Sequence, residues 1–158
     1  MRHDHNNILL SVIMPALNEE KNIAAAVSNS QKAFKDFNIE GEVIVVNDGS
    51  TDNTEKIVKG IMQKDKRIML LKHDAPKGIG ASFWHGVDDA RGDIIVMLPG
   101  DNENDPLEIF RYYRLLEHVD IVIPFVYNKR VRSLFRNILS YLYRFIINTT
   151  FLVNFNYT

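Results

Sequence analysis

Short apolar runs rich in β-branched residues alternate with amphipathic stretches along the chain, and this alternation constrains the fold more than any other feature. Ile8–Met14, Glu42–Val46, Arg67–Leu71, Asp93–Leu98 and Asp120–Ile123 read as strands. The first is a nearly continuous apolar run, as in a parallel sheet buried on both faces. Asn18–Phe37 reads as a helix, with Ile23, Ala26, Val27, Ala33, Phe34 and Phe37 spaced for one face. Asp52 or Asn53 can cap a second helix reaching about Lys64. A third runs from about Gly80 to Ala90, and Pro106 opens a fourth that reaches about His118. Such alternation predicts a three-layer α/β/α sandwich around a mostly parallel sheet. Open sheets of this class bind ligands beyond the carboxyl ends of their strands. The loops to inspect are therefore Pro15–Glu20, Asn47–Asp52, His73–Gly80 and Pro99–Pro106.

Composition narrows the function. The chain has 158 residues and no cysteine, which excludes a disulfide scaffold, thiolate zinc sites and thiol catalysis. A net charge of −1 gives no global sign of a nucleic-acid partner. The charge is unevenly spread: residues 121–158 hold Lys129, Arg130, Arg132, Arg136 and Arg144 and no acid. A basic end of this kind suits phosphates or a membrane surface. The polar opening, Met1 to Asn7, does not read as a signal peptide. His3 and His5 within it read as part of a frayed terminus, with a metal site as the alternative.

Three loops carry acids and glycines. Asn47-Asp48-Gly49-Ser50-Thr51-Asp52 ends the second strand. Asp48 there can accept hydrogen bonds from a base or a ribose hydroxyl; a self-bonded turn is the alternative. Pro99-Gly100-Asp101-Asn102-Glu103-Asn104-Asp105-Pro106 ends the fourth. Its crowded carboxylates suit Mg²⁺ or Mn²⁺, and a solvated acidic loop is the alternative. Lys77-Gly78-Ile79-Gly80-Ala81 follows the third, where glycines beside a lysine at a helix start can approach phosphate oxygens. It lacks the spacings of a P-loop or a dinucleotide fingerprint.

Together these loops resemble the family-two glycosyltransferases, which have the GT-A fold. The resemblance is carried by Val12 to Glu20 (VIMPALNEE), Val43 to Thr54 (VIVVNDGSTDNT), Lys77 to Ala81 and Ala90-Arg91-Gly92-Asp93. Arg136 and Ser140 resemble the polyprenyl-phosphate sugar transferases within that family. The resemblance implies that Pro15, Asn18 and Glu19 line the nucleotide site. It also implies that Asp48 contacts the nucleoside with Lys77 and Gly78 beside it, and that Asp93, which opens the fourth strand, belongs to the donor site. The family's Asp-x-Asp motif falls on Pro99-Gly100-Asp101, so its first aspartate is proline here. Asp101 and Glu103 are the implied metal-side residues, and Asp101 and Arg136 the implied catalytic ones. The implied reaction moves a sugar, with inversion, from a GDP- or UDP-linked donor to a polyprenyl-phosphate lipid. A lipid phosphate is already ionised near neutral pH and needs no general base.

Ser133–Val153 reads as a helix apolar over most of its circumference, with a narrow polar stripe. This suits a membrane interface, with ordinary packing as the alternative. Arg130, Arg132, Arg136 and Ser140 are candidates for holding a lipid phosphate or the donor diphosphate. The expected organisation is a donor-binding core over residues 1–125 and a basic acceptor- or membrane-facing segment over 126–158, within one domain. The expected location is the cytoplasmic face of a membrane, held peripherally. Members of the family usually continue further, so the chain is expected to be short at its C-terminal side. Two other readings are a nucleotide-sugar-binding domain without turnover and a nucleotidyltransferase. The second lacks its expected glycine-rich basic loop after the first strand.

Overall fold

The computed structural model describes residues 9–123 and the helix at 134–151. Met1–Val122 and Ile123–Thr158 are separate compact units. In the first, β1 (Leu10–Ala16), β2 (Gly41–Asp48), β3 (Ile68–His73) and β4 (Ile94–Met97) form a sheet in the order β3-β2-β1-β4. Every pairing is parallel, with Val12 opposite both Val43 and Val96. The helices are α1 (Ile23–Asp36), α2 (Thr54–Met62), α3 (Ile79–Asp88) and the short α4 (Pro106–Phe110).

Side-chain alternation along the strands builds both sides of the sheet. Val12, Met14, Val43 and Val45 face a core completed by Ile23, Val27, Phe34, Val58 and Phe110 from α1, α2 and α4. Ile13, Ile44 and Val46 face α3 through Phe83 and Val87. This is the α/β/α sandwich that the alternation predicts. A Cβ on Gly86 would lie 2.4 Å from Ile13, so glycine lets α3 lie close to β1.

The chain runs from β1 outward to β2 and β3, then returns across the sheet to β4 on the other side of β1. The order reverses between β1 and β4, the position at which sheets of this class bind ligands beyond the carboxyl ends. Proline is tolerated at position 15 of the central strand for a related reason. The carbonyls of Ile13 and Pro15 take the amides of Leu98 and Gly100, both beyond the end of β4. The missing Pro15 amide lies on this side, where the pairing with β4 has ended at Met97, while the pairing with β2 continues through Ala16.

At the opposite, amino end of the sheet a closed polar network ties the strands together. Glu42 is fully buried and accepts from Ser11 Oγ at 2.7 Å, from the Arg91 amide at 2.8 Å and from the Arg91 guanidinium at 2.5 and 2.8 Å. Ser11 Oγ in turn accepts the Gly92 amide at 2.9 Å.

Three expectations need correction. Residues 120–123 form no strand: Ile121 and Ile123 are exposed and pair with no neighbour among the described residues. A short apolar run becomes a strand only where a sheet edge receives it. The fourth helix stops at Phe110, and a 3₁₀ turn follows over Tyr113–Glu117. Pro106 and Phe110 anchor the helix in the core, whereas the 3₁₀ turn buries no residue. Burial of an apolar face, more than propensity, sustains a helix. The first helix begins at Ile23 rather than Asn18, because residues 18–20 bond to the loop after β2.

Candidate functional site

The loops after β1 and β2 are joined amide by amide. The Asn18, Glu19 and Glu20 amides donate to Ser50 Oγ, Thr54 Oγ1 and Asp52 Oδ2 at 2.8–3.0 Å. In return Asn18 Oδ1 accepts the Thr51 amide at 2.9 Å, and Glu20 Oε2 accepts the Asn53 amide at 3.1 Å. Asn18 adopts φ 58°, a conformation that asparagine tolerates better than most residues. Asp52 also accepts from the Thr54 amide and hydroxyl. Burial opposes its charge, but these bonds hold its carboxyl below the usual carboxylate range. Asn18 is exposed and Glu19 half-buried at the rim, and Pro15 is buried beneath them.

Asp48 ends β2 and is 4% exposed. Its Oδ1 lies 2.6 Å from His73 Nδ1 and accepts the Lys77 amide at 2.8 Å, while Oδ2 accepts the Gly78 amide at 2.8 Å. Burial works against the charge, yet the bonds from His73, Lys77 and Gly78 prevail and keep the carboxyl below its usual range. Gly78 adopts φ 92°, which glycine reaches without strain, and this turns its amide onto the carboxylate. Sequence reasoning grouped Asp48, Lys77 and Gly78, and the structure brings them together with the carboxylate as the organiser. Three donors leave a carboxylate room for about one more, on the Oδ2 side.

Sequence reasoning missed His73 and His85. His73 ends β3 as Asp48 ends β2, and the two are paired in register. That shared position at a strand end was the available signal. His73 Nε2 lies 3.0 Å from His85 Nδ1 on α3, with the rings stacked 5.0 Å apart.

The loop after β4 packs back on the end of β1. A Cβ on Gly100 would meet Ile23 Cδ1 at 2.9 Å and Ala16 Cβ at 3.1 Å, so glycine sets how closely the loop approaches. Asp101 follows, beyond the carboxyl end of β4, and accepts the Glu103 amide at 3.0 Å. Glu103 lines a cleft of about 300 Å³ with Asn29 and Lys32 of α1 and Asn102, Asn104 and Asp105 of the loop. Asp105 takes the helix-cap role, its side chain accepting the Leu107 amide at 2.9 Å. Among the described residues no three His, Cys, Asp or Glu side chains form a group that could hold a metal ion. Asp101 and Glu103 offer hard carboxylate oxygens of the kind Mg²⁺ and Mn²⁺ take, but do not by themselves close a site.

Asp93 departs from the expectation. It lies just before β4, at the amino end of the sheet, and the next amide, of Ile94, donates to Leu9 O. The length of β4 separates it from the loops above. Arg130 and Arg132 lie outside the described residues, as do the side chains of Arg136 and Ser140. The expected tail helix is α5, Leu134–Phe151, described by itself. Ile138, Tyr141, Leu142, Tyr143, Phe145, Ile146 and Phe151 on it are exposed. Among the described residues no helix is long and apolar enough to cross a membrane.

Known proteins resemble this chain in sequence and in fold. The chain is 34% identical over 103 residues to a dolichyl-phosphate beta-glucosyltransferase of Trichomonas vaginalis, covering 62% of this chain and 32% of that protein. It is 30% identical over 132 residues to an undecaprenyl-phosphate 4-deoxy-4-formamido-L-arabinose transferase of Yersinia pestis, covering 83% of this chain and 40% of that one. The chain thus spans about a third to two fifths of the length of these curated relatives. Among solved structures, S. aureus TarS superposes with a TM-score of 0.61 at 23% identity, over 80% of this chain and 39% of that one. A mannosyltransferase from Pyrobaculum calidifontis, in complex with GDP-Man and Mn²⁺, superposes at 0.52 and 25% identity, over 58% of this chain and 27% of that one. These likenesses show the GT-A fold. Residues 11–155 match the family described as Glycosyl transferase family 2, and the chain belongs to that family.

Proposed function

We propose that this chain forms the donor-binding part of a glycosyltransferase that moves a sugar, with inversion, from a nucleoside diphosphate to a polyprenyl phosphate. The observation that carries the reading is the Asp48 clamp. A buried, ionised carboxylate at a strand end holds the Lys77 and Gly78 amides and keeps acceptor capacity for a nucleobase N–H or a ribose hydroxyl. Pro15, Asn18 and Glu19 form the neighbouring wall. Asp101, with Glu103, faces the diphosphate. Asp101 and Glu103 would hold a Mg²⁺ or Mn²⁺ ion together with the donor, and such an ion would neutralise charge on the leaving diphosphate. The polyprenyl acceptor is supported by two relatives whose names specify dolichyl and undecaprenyl phosphate. The nucleotide is supported by solved neighbours bound to GDP-Man and UDP-GlcNAc, and either base is compatible with the clamp.

The polyprenyl phosphate arrives ionised, so the chain's task at the acceptor is to position it and balance its charge. Arg130, Arg132, Arg136 and Ser140 are assigned that task, and Arg136 acts at the reacting phosphate. α5 is assigned to a membrane interface at the cytoplasmic face, because its large apolar residues are exposed and residues 121–158 hold five cations and no acid.

Pro99, in place of the motif's first aspartate, favours a second reading, a donor-binding domain without turnover. Calorimetry with UDP- and GDP-sugars, with and without Mn²⁺, tests the binding that both readings share. Release of free nucleoside diphosphate in the presence of a polyprenyl phosphate separates them. Binding without release supports the second reading, and absence of binding with every donor rejects both.

A further inference from the structure

We propose that His73, which is buried, and His85, which is half-buried, form a positioning device that takes up one proton and couples it, through Asp48, to donor binding. This rests on the donor-site reading above.

Hydrogen-bond accounting carries the argument. His73 is 4% exposed, with Asp48 at 2.6 Å on Nδ1 and His85 Nδ1 at 3.0 Å on Nε2. Asp48 is ionised, so His73 Nδ1 carries the hydrogen of the first contact. In a neutral His73 the Nε2 is then an acceptor, and His85 Nδ1–H must donate to it. One proton taken from solvent reverses the second bond. The solvent proton adds to His85 Nε2, the hydrogen between the rings passes to His73 Nε2, which then donates, and His85 Nδ1 accepts. A second proton would set two donors face to face across 3.0 Å and break the contact. The bonded pair therefore accommodates one proton and no more.

The surrounding charges set the sign. Asp48 is the charged group bonded to the pair. Asp74 and Lys77 flank it from the β3–α3 loop, and Asp88 and Asp89 follow His85 by about one turn. β1 and β2 otherwise present Ile13, Ile44 and Val46 to this layer, and the Lys72–Glu55 ion pair belongs to the opposite face of the sheet. Asp48 with the neutral pair carries one net negative charge, and with the proton it carries none. A nucleotide sugar is an anion and binds the protonated state better. By linkage, binding takes up a proton, and affinity falls as pH rises through the pair's titration.

Calorimetry of the full chain with UDP-GlcNAc and GDP-Man, in Mn²⁺ and in two buffers of different ionisation enthalpy, tests this. The diphosphate diesters of these probes do not titrate between about pH 5 and 8, where histidine does. The expected result is uptake of up to one proton per donor bound, with affinity falling at most about tenfold per pH unit. His85→Phe keeps a stacking ring but offers no nitrogen, and should abolish the uptake. His85→Asn presents an amide that can donate to or accept from His73 Nε2, and should retain it. A packing role predicts the reverse, with His85→Phe behaving as the unsubstituted chain. That result, or equal pH dependence in all three proteins, overturns the inference. Nitrogen NMR of both imidazoles in the unsubstituted chain gives a check that needs no variant: one shared titration supports the pair, and two independent ones overturn it. If neither probe binds the unsubstituted chain at any pH, the donor-site reading fails and this inference falls with it.

Discussion

The two ends of the sheet use the same polar chemistry to different effect. At the amino end, Glu42 accepts from Ser11 and from the Arg91 backbone and side chain, and Ser11 accepts from Gly92. Every bond of this network is to another protein group, although the Arg91 side chain reaches the surface. At the carboxyl end, Asp48 is nearly as buried, but its partners are the amides of a loop and a histidine that leads on to a second one. The two buried side-chain polar atoms without a partner among the described residues also lie toward this end, Asn47 Nδ2 at the end of β2 and Ser82 Oγ in the first turn of α3. A buried polar group left unpaired costs free energy, so natural folds keep few of them. The contrast separates a carboxylate that joins strands from one that prepares a loop to receive something.

Four measurements can break or sharpen this contrast. The largest effect is expected from Glu42→Ala, which leaves Arg91 and Ser11 without their partner. Loss of a buried, ion-paired carboxylate should destabilise the chain by about 3 kcal/mol in denaturant unfolding. Donor affinity of the protein that remains folded should not change; weakened binding would erase the distinction between the ends. Asp48→Ala should affect both properties. Removing the acceptor of three donors should cost about 2 kcal/mol of stability and weaken donor binding by about tenfold or more. A fall in melting temperature with unchanged affinity would make Asp48 as purely structural as Glu42.

Acid should weaken the amino end through one carboxylate. Asp65, in the turn before β3, is held at about 2 instead of 3.8, chiefly by its hydrogen bond to Arg67, with Gln31 of α1 adding another. A depressed folded pKa stabilises at pH values above 3.8, and that contribution is lost as pH falls toward 2. Because Arg67 is half-exposed, solvent screening reduces the contribution to about 1 kcal/mol. Asp65→Asn should flatten stability over that window in acid titrations followed by circular dichroism. The smallest stability effect is expected from Asp101→Ala combined with Glu103→Ala, within about 0.5 kcal/mol. That variant should nevertheless lose the enhancement of nucleoside diphosphate binding by Mn²⁺. Undiminished enhancement would remove these two carboxylates from the metal's surroundings.

Much of this was legible in local sequence. Alternating apolar runs determine strands of period 2, a parallel sheet with helices on both faces, and ligand loops at the carboxyl ends, because each run must bury its side chains wherever the chain goes next. The acid loop after β4 was read from the same pattern, whereas the grouping of Asp48 with Lys77 and Gly78 came from the family resemblance. Tertiary structure alone decided what those residues hold. Asp120–Ile123 has strand composition but finds no sheet edge among the described residues, and Tyr113–Glu117 lacks a buried anchor. His73 and His85 are twelve residues apart, and neither carries a local signal of the other. Their contact exists because β3 ends beside β2 while α3 crosses over the same face. Propensity and periodicity are properties of neighbours along the chain, whereas a hydrogen-bond partner is chosen by packing.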